Sequence, residues 1–199
     1  MKPAPGEKYT IRRKVFKIFG ASFHIYGPEG NVVGFCKQKA FKLREDLRVY
    51  TDESCTTELM RIGTRQVIDL GATYTVSLPP GPDSPEPTPI GALKRLGLRS
   101  EFVRDTWSIR DAAEREVARL EEQSSFLSLL RRISDFGSII PQSFSVTAHD
   151  GRPVATLRTH FNPFVYRLGV AIVADHPDMD ELLIIALACT IAAIEGRQA

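Results

Sequence analysis

The sequence predicts a mainly β domain, a sandwich or a barrel, enclosing one apolar helix near its C-terminal end. Three observations carry that prediction. Short runs rich in Val, Ile, Tyr, Phe and Thr recur at roughly ten-residue spacing through the first three-fifths of the chain. No helical periodicity separates them, which favours antiparallel pairing over a parallel βαβ sheet. Residues 182–194 consist of Leu, Ile, Ala, Cys and one Thr with no charge, so a helix there is apolar around its whole circumference and must be covered on every side.

Taken in order, strands are expected over residues 9–19, 22–26, 32–41, 47–51, 58–64, 67–70 and 74–78. Gly27-Pro28-Glu29-Gly30 and Thr51-Asp52-Glu53-Ser54 supply turn chemistry between them. The segment 79–89 then carries six prolines, which remove backbone donors and hold the chain extended, so it reads as a surface loop inserted in a hairpin. The strand pattern resumes over 101–110, with Trp107, and over 116–120. Phe126, Leu129, Leu130 and Ile133 recur at helical spacing and predict a short amphipathic helix over 124–132. Runs at 144–148 and 154–161 flank His149-Asp150-Gly151-Arg152, where Asp-Gly signals a tight hairpin because both positions tolerate positive φ. A last strand is expected over 165–174. The apolar helix rises only about 20 Å at 1.5 Å per residue, short of the roughly 30 Å hydrocarbon core of a bilayer. Asp178, Asp180 and Glu181 lie where carboxylates favour a helix N-terminus, with Pro177 available to open the first turn.

At 199 residues, 43% hydrophobic and 25% charged, the chain has the size and composition of one folded domain spanning 1–199, and disordered and fibrous classes are excluded. A formal net charge of +2 is too small to imply nucleic acid, and no nucleic-acid partner is expected. The charge is unevenly spread, however. Residues 1–50 hold eleven Lys and Arg against four Asp and Glu, a local +7. Cys36, Cys55 and Cys189 are scattered, with no CxxC, as expected of reduced thiols in a cytoplasm. Met1-Lys2-Pro3-Ala4-Pro5-Gly6-Glu7 lacks the apolar core of a signal peptide. A cytoplasmic location, with peripheral membrane contact, is the expectation.

Several motifs in this order are similar to the LURP-one-related and phospholipid scramblase families, which share a tubby-like fold. They are Phe41-Lys42-Leu43-Arg44-Glu45-Asp46 with Val49-Tyr50, Ile90-Gly91-Ala92-Leu93-Lys94-Arg95 with Asp105-Thr106-Trp107, Leu129-Leu130-Arg131-Arg132, and Asp180-Glu181-Leu182-Leu183 running to Ile194-Glu195. The resemblance spans residues 9–197 and implies a closed antiparallel barrel of about twelve strands threaded by the C-terminal helix. Tubby domains use surface Lys and Arg for phosphoinositides, so it also implies that a basic face would meet lipid headgroups. Scrambling itself is not carried over: no membrane span and no cysteine cluster for palmitoylation are present.

Catalysis finds little support. His24, His149, His160 and His176 are not paired in sequence with a nucleophile, and GxSxG, HExxH, Walker A and GxGxxG motifs are absent. An enzyme would need a site assembled from distant residues, and none is predicted. Asp175-His176-Pro177-Asp178-Met179-Asp180-Glu181 is acidic enough to suggest calcium, but its spacing is not that of an EF-hand and its acids suit a helix start. No metal and no cofactor are expected. The stronger lead is the basic third: Arg12, Lys14 and Lys17 in one strand, and Lys37, Lys39, Lys42 and Arg44 in another. Period-two alternation puts Arg12 with Lys14, Lys37 with Lys39, and Lys42 with Arg44 on shared outward faces. The expectation is a non-enzymatic binding module that grips anionic phospholipid or another phosphate-bearing ligand. A structural or protein-interaction scaffold is the alternative, with the proline loop as a docking segment.

Overall fold

Successive side chains of a strand point to opposite faces, and along most of this chain one face is apolar. A computed structural model describes residues 1–14, 22–38, 46–68, 71–82, 84–96, 106–123, 142–160, 162 and 165–195. Twelve strands follow in chain order: β1 Tyr9–Lys14, β2 Ser22–Tyr26, β3 Val32–Gln38, β4 Asp46–Tyr50, β5 Glu58–Ile68, β6 Gly71–Leu78, β7 Thr88–Leu96, β8 Thr106–Asp111, β9 Glu116–Glu122, β10 Ser143–Ala148, β11 Pro153–His160 and β12 Val165–Ile172. The helix α1, Glu181–Glu195, comes last.

Each strand pairs antiparallel with its chain neighbours, and β1 also pairs with β12, which closes the sheet into a barrel. Closure removes both sheet edges, the places where a β protein is open to aggregation. Alternation fills the interior: Ile11, Phe23, Leu47, Ile62, Trp107 and Leu168 all face inward and are at most 1% exposed.

The apolar helix occupies that interior. In the ring order β7 stands six places from β1 in either direction, yet α1 touches both walls. From Leu183 to Ala193 every residue is buried except Ile185, which is partly so. The one polar side chain in this stretch, Thr190, donates its hydroxyl to the Ala186 carbonyl at 2.8 Å, so it needs no partner from the wall. On β7, Gly91 leaves room for the helix, because a Cβ there would lie 2.9 Å from Leu183 Cδ2 and 2.3 Å from the Arg110 carbonyl oxygen.

β1 holds both ends of the helix. Lys8, just ahead of the strand, donates to Glu181 at 2.8 Å, and Arg13 Nη1 donates to the carbonyls of Ala192 and Ala193 at 3.3 and 3.4 Å. Five strand residues at about 3.3 Å and eleven helix residues at 1.5 Å both come to roughly 17 Å, so strand and helix are matched in length. Each contact also suits the helix dipole: a carboxylate at the N-terminus and a guanidinium at the last turn. Burial alone would push the Glu181 carboxyl up, but the hydrogen bonds from Lys8 and Tyr9 outweigh it and hold it below its ordinary range. Asp180 caps the helix, its carboxylate accepting from Leu182 N–H at 2.8 Å.

Four features depart from the expected elements. Residues 58–64 and 67–70 are not two strands: Glu58–Ile68 is one, with a register shift between Thr64 and Gln66. β7 was not expected, because Gly91 and Ala92 dilute its alternation and Pro89 resembles the loop before it. Pro89 is accommodated opposite Ser77, where the β6–β7 register shifts, so its missing donor costs little. The proline segment is thus a surface hairpin loop that ends before Thr88. Pro177 does not open the helix; it lies in the turn closed by Met179 N–H donating to the His176 carbonyl. The helix expected over 124–132 lies outside the described residues. No helix among the described residues is long and apolar enough to cross a membrane.

Candidate functional site

The outer surface where the barrel closes is the chemically uneven one. On β1, Ile11 and Arg13 point inward, so Arg12 points outward. The β1 register sets Arg12 directly opposite Arg167 of β12 on one side and His24 of β2 on the other. His160 of β11 lies opposite Arg167. The result is one row of four basic groups, His160, Arg167, Arg12 and His24, running across four adjacent strands.

Among the described residues, carboxylates pair with the two ends of this row and not with its centre. His160 Nε2 is 2.6 Å from Glu7 Oε1, and His24 Nε2 is 2.5 Å from Glu53 Oε1. Glu7 lies flat over β12, which is possible only because position 169 is glycine: a Cβ there would fall 2.0 Å from the Glu7 carboxyl carbon. Arg12 and Arg167 have no carboxylate within ion-pair distance among the described residues, and the Nε of each is buried without a hydrogen-bond partner. Like charges directly opposite across a sheet repel. The pair therefore forms an anion-seeking spot.

A second row lies two residues further along. Lys37 of β3 is exposed and stands between Ser22 of β2 and Arg48 of β4, and Arg48 stands opposite Arg61 of β5. Arg48 and Arg61 are compensated by Asp46 and Glu58 at 3.1 to 3.5 Å, whereas Lys37 has no such partner among the described residues. Continuing the β1–β2 register places the Lys14 backbone opposite Ser22, in this same row.

Of the seven expected ligand-binding residues, the structure thus brings Arg12 and Lys37 to one outer face at one end of the barrel, and it places the Lys14 backbone at that same end. Lys17, Lys39, Lys42 and Arg44 lie outside the described residues. The strand ends that flank them in sequence, Lys14, Ser22, Gln38 and Asp46, all belong to this same end. Arg13, in the same basic run, goes the other way: it is 8% exposed, reaches the end of α1 and stacks over Phe23 with 5.5 Å to the ring centroid.

Arg167, His24 and His160 were missed as members of the face. Only barrel closure brings residue 167 beside residue 12, and local pattern does not announce it. The signal that was available is parity: Tyr166 and Leu168 bracket Arg167 as Ile11 and Arg13 bracket Arg12. For the catalytic alternative, the open concavity beside the start of α1 is lined by Asp111, Arg115, Asp178 and Asp180.

The family model described as LURP-one-related matches residues 7–192, from the segment ahead of β1 into the last turn of α1. No curated protein matches the chain.

Proposed function

The chain belongs to the LURP-one-related family, and from that premise we propose that its barrel is a non-enzymatic module that binds anionic phospholipid headgroups through the face formed by Arg12, Arg167 and Lys37, with Lys14 proposed to join them. Lys17, Lys39, Lys42 and Arg44 are proposed to extend the same face. The observation that carries the reading is the Arg12–Arg167 pairing, two arginines directly opposite each other across β1 and β12 with no carboxylate partner among the described residues. A phosphate bridging them would replace repulsion by charge-assisted hydrogen bonds, the interaction for which the guanidinium fork is best shaped. The flanking histidines bound to Glu7 and Glu53 confine the positive spot. No headgroup path through the domain is needed for this, and the proposed location is cytoplasmic with peripheral attachment.

The test is co-sedimentation with neutral vesicles and with vesicles containing anionic lipid, across a salt series, with inorganic phosphate as competitor. Retention that requires anionic lipid and falls as salt rises supports the reading. Equal retention on both vesicle types at low salt refutes it, and competition by phosphate at low concentration would reassign the face to a soluble phosphate ligand.

A scaffold role has one observation in its favour: Pro80, Pro82, Pro85 and Pro87 are all exposed on the β6–β7 loop, as a polyproline II docking segment would be. Shortening residues 80–86 to a two-residue turn would then abolish a stable protein partnership while leaving vesicle binding intact.

A further inference from the structure

A different cluster forms at the opposite end of the barrel, where α1 begins. His149 lies in the turn between β10 and β11, and His176 and Asp178 lie in the turn between β12 and α1. Nothing in their sequence spacing groups them, yet each presents one ligand-capable atom and all three atoms lie within 4.8 Å of one another. The two imidazole rings stand edge to face with centroids 5.9 Å apart.

Both turns are fixed by backbone hydrogen bonds. His149 N–H donates to the Val117 carbonyl at 2.9 Å, and Gly151, at φ 87°, closes the hairpin by donating to the Ala148 carbonyl. Met179 N–H donates to the His176 carbonyl at 3.0 Å. The ligand-bearing backbone is therefore in place before any ligand arrives, which lowers the ordering cost of binding.

His176 is the buried member, 7% exposed, and its ring is oriented from behind. Nε2 lies 3.2 Å from Asp150 Oδ2, and Asp150 is kept anionic by Arg152, whose backbone N–H and Nε donate to it at 3.0 and 2.7 Å. A carboxylate behind a ring nitrogen settles the proton on that nitrogen and leaves the Nδ1 lone pair on the other side. Nδ1 accepts a hydrogen bond from Asp178 N–H at 3.3 Å, a long one that an ion at Nδ1 would displace. His149 and Asp178 are exposed and free to rotate toward it.

We propose that His149, His176 and Asp178 bind a divalent first-row transition ion of the zinc class, with Asp150 as the residue that positions His176. Two imidazoles and one carboxylate suit zinc, nickel or copper and not calcium, which takes six or more oxygens. Ligand distances of about 2.1 Å set tetrahedral ligand atoms roughly 3.4 Å apart, so the cluster closes by little more than an ångström, through the two exposed side chains. The ion would tie the β10–β11 turn to the segment that leads into α1, and so fasten the start of the enclosed helix to the barrel rim. This inference is independent of the basic face at the other end.

The experiment uses the full chain, stripped with chelator and desalted, then titrated near neutral pH with Zn²⁺ and with Co²⁺. Saturable one-to-one binding is expected, with visible Co²⁺ absorption of a nitrogen and oxygen ligand set and a thermal midpoint that rises with metal and returns with chelator. His149→Ala and Asp178→Ala, both at exposed positions, should unfold like the metal-free parent and bind at least about tenfold more weakly. Asp150→Asn should weaken binding without removing it. Absence of saturable binding at millimolar metal overturns the proposal, as does wild-type affinity in His149→Ala. A sulfur-to-cobalt charge-transfer band lost in Cys55→Ser overturns it equally, since the ligands would then lie elsewhere.

Discussion

Arg12 and Arg13 are neighbours in sequence and opposites in fate. Arg13 points into the barrel, gives its guanidinium to the carbonyls that end α1, and belongs to the packing of the fold. Arg12 points out, stands against Arg167 and has no carboxylate partner among the described residues. One strand thus divides one kind of side chain between two tasks, and the division is made by alternation alone. The inner arginine is judged by what its loss does to stability, the outer one by what its loss does to binding.

The sharpest way to test that division is by thiol reactivity, because the cysteines also divide. Cys36 on β3 and Cys189 on α1 are fully buried against each other, and the neighbouring Cys189 together with burial pushes the Cys36 thiol well above its ordinary range. Cys55 is partly exposed in the β4–β5 turn. In native protein a thiol reagent should modify Cys55 at once and the other two at least about a thousandfold more slowly, limited by unfolding. Fast modification of all three would mean that the helix is not sealed inside the wall.

Next in size is Arg13→Met, which removes a buried charge from the end of the helix. It should lower global stability by about 3 kcal/mol in urea unfolding and leave vesicle affinity unchanged in the folded fraction. Arg12→Ala should do the reverse: a roughly fivefold loss of affinity for anionic vesicles, about 1 kcal/mol per basic group near such a surface, with stability unchanged or slightly raised as like-charge repulsion is relieved.

The smallest effect is expected at Lys8, whose ion pair with Glu181 is partly exposed. Lys8→Ala should cost about 0.5 kcal/mol at neutral pH. The sign of its pH dependence follows from Glu181, whose carboxyl is lowered in the fold from an ordinary 4.5. The stabilisation is present above pH 4.5 and is lost as pH falls toward the folded value, so the parent and Lys8→Ala unfolding curves should converge in acid. Curves that stay parallel through that range would assign the Glu181 shift to another group.

What was legible in the sequence follows the range of the interaction. The enclosed helix was legible because residues 182–194 offer no polar stripe, and that is a local property. The outward turn of Arg12 was legible for the same reason, since parity is local. β7 was hidden because the demands on it are tertiary: Gly91 is there for Leu183 and for the Arg110 carbonyl, not for strand propensity. Arg167 was hidden because its place beside Arg12 depends on the last strand closing on the first. The His149, His176 and Asp178 cluster joins two turns that meet only in the folded barrel.

The most direct test of the whole account is to reverse both outer charges, Arg12→Glu with Arg167→Glu, and to measure urea unfolding and anionic-vesicle partition on the same preparation. A retained unfolding midpoint with vesicle retention reduced to the level seen on neutral lipid is the predicted result. Wild-type partition by a folded double variant would contradict it.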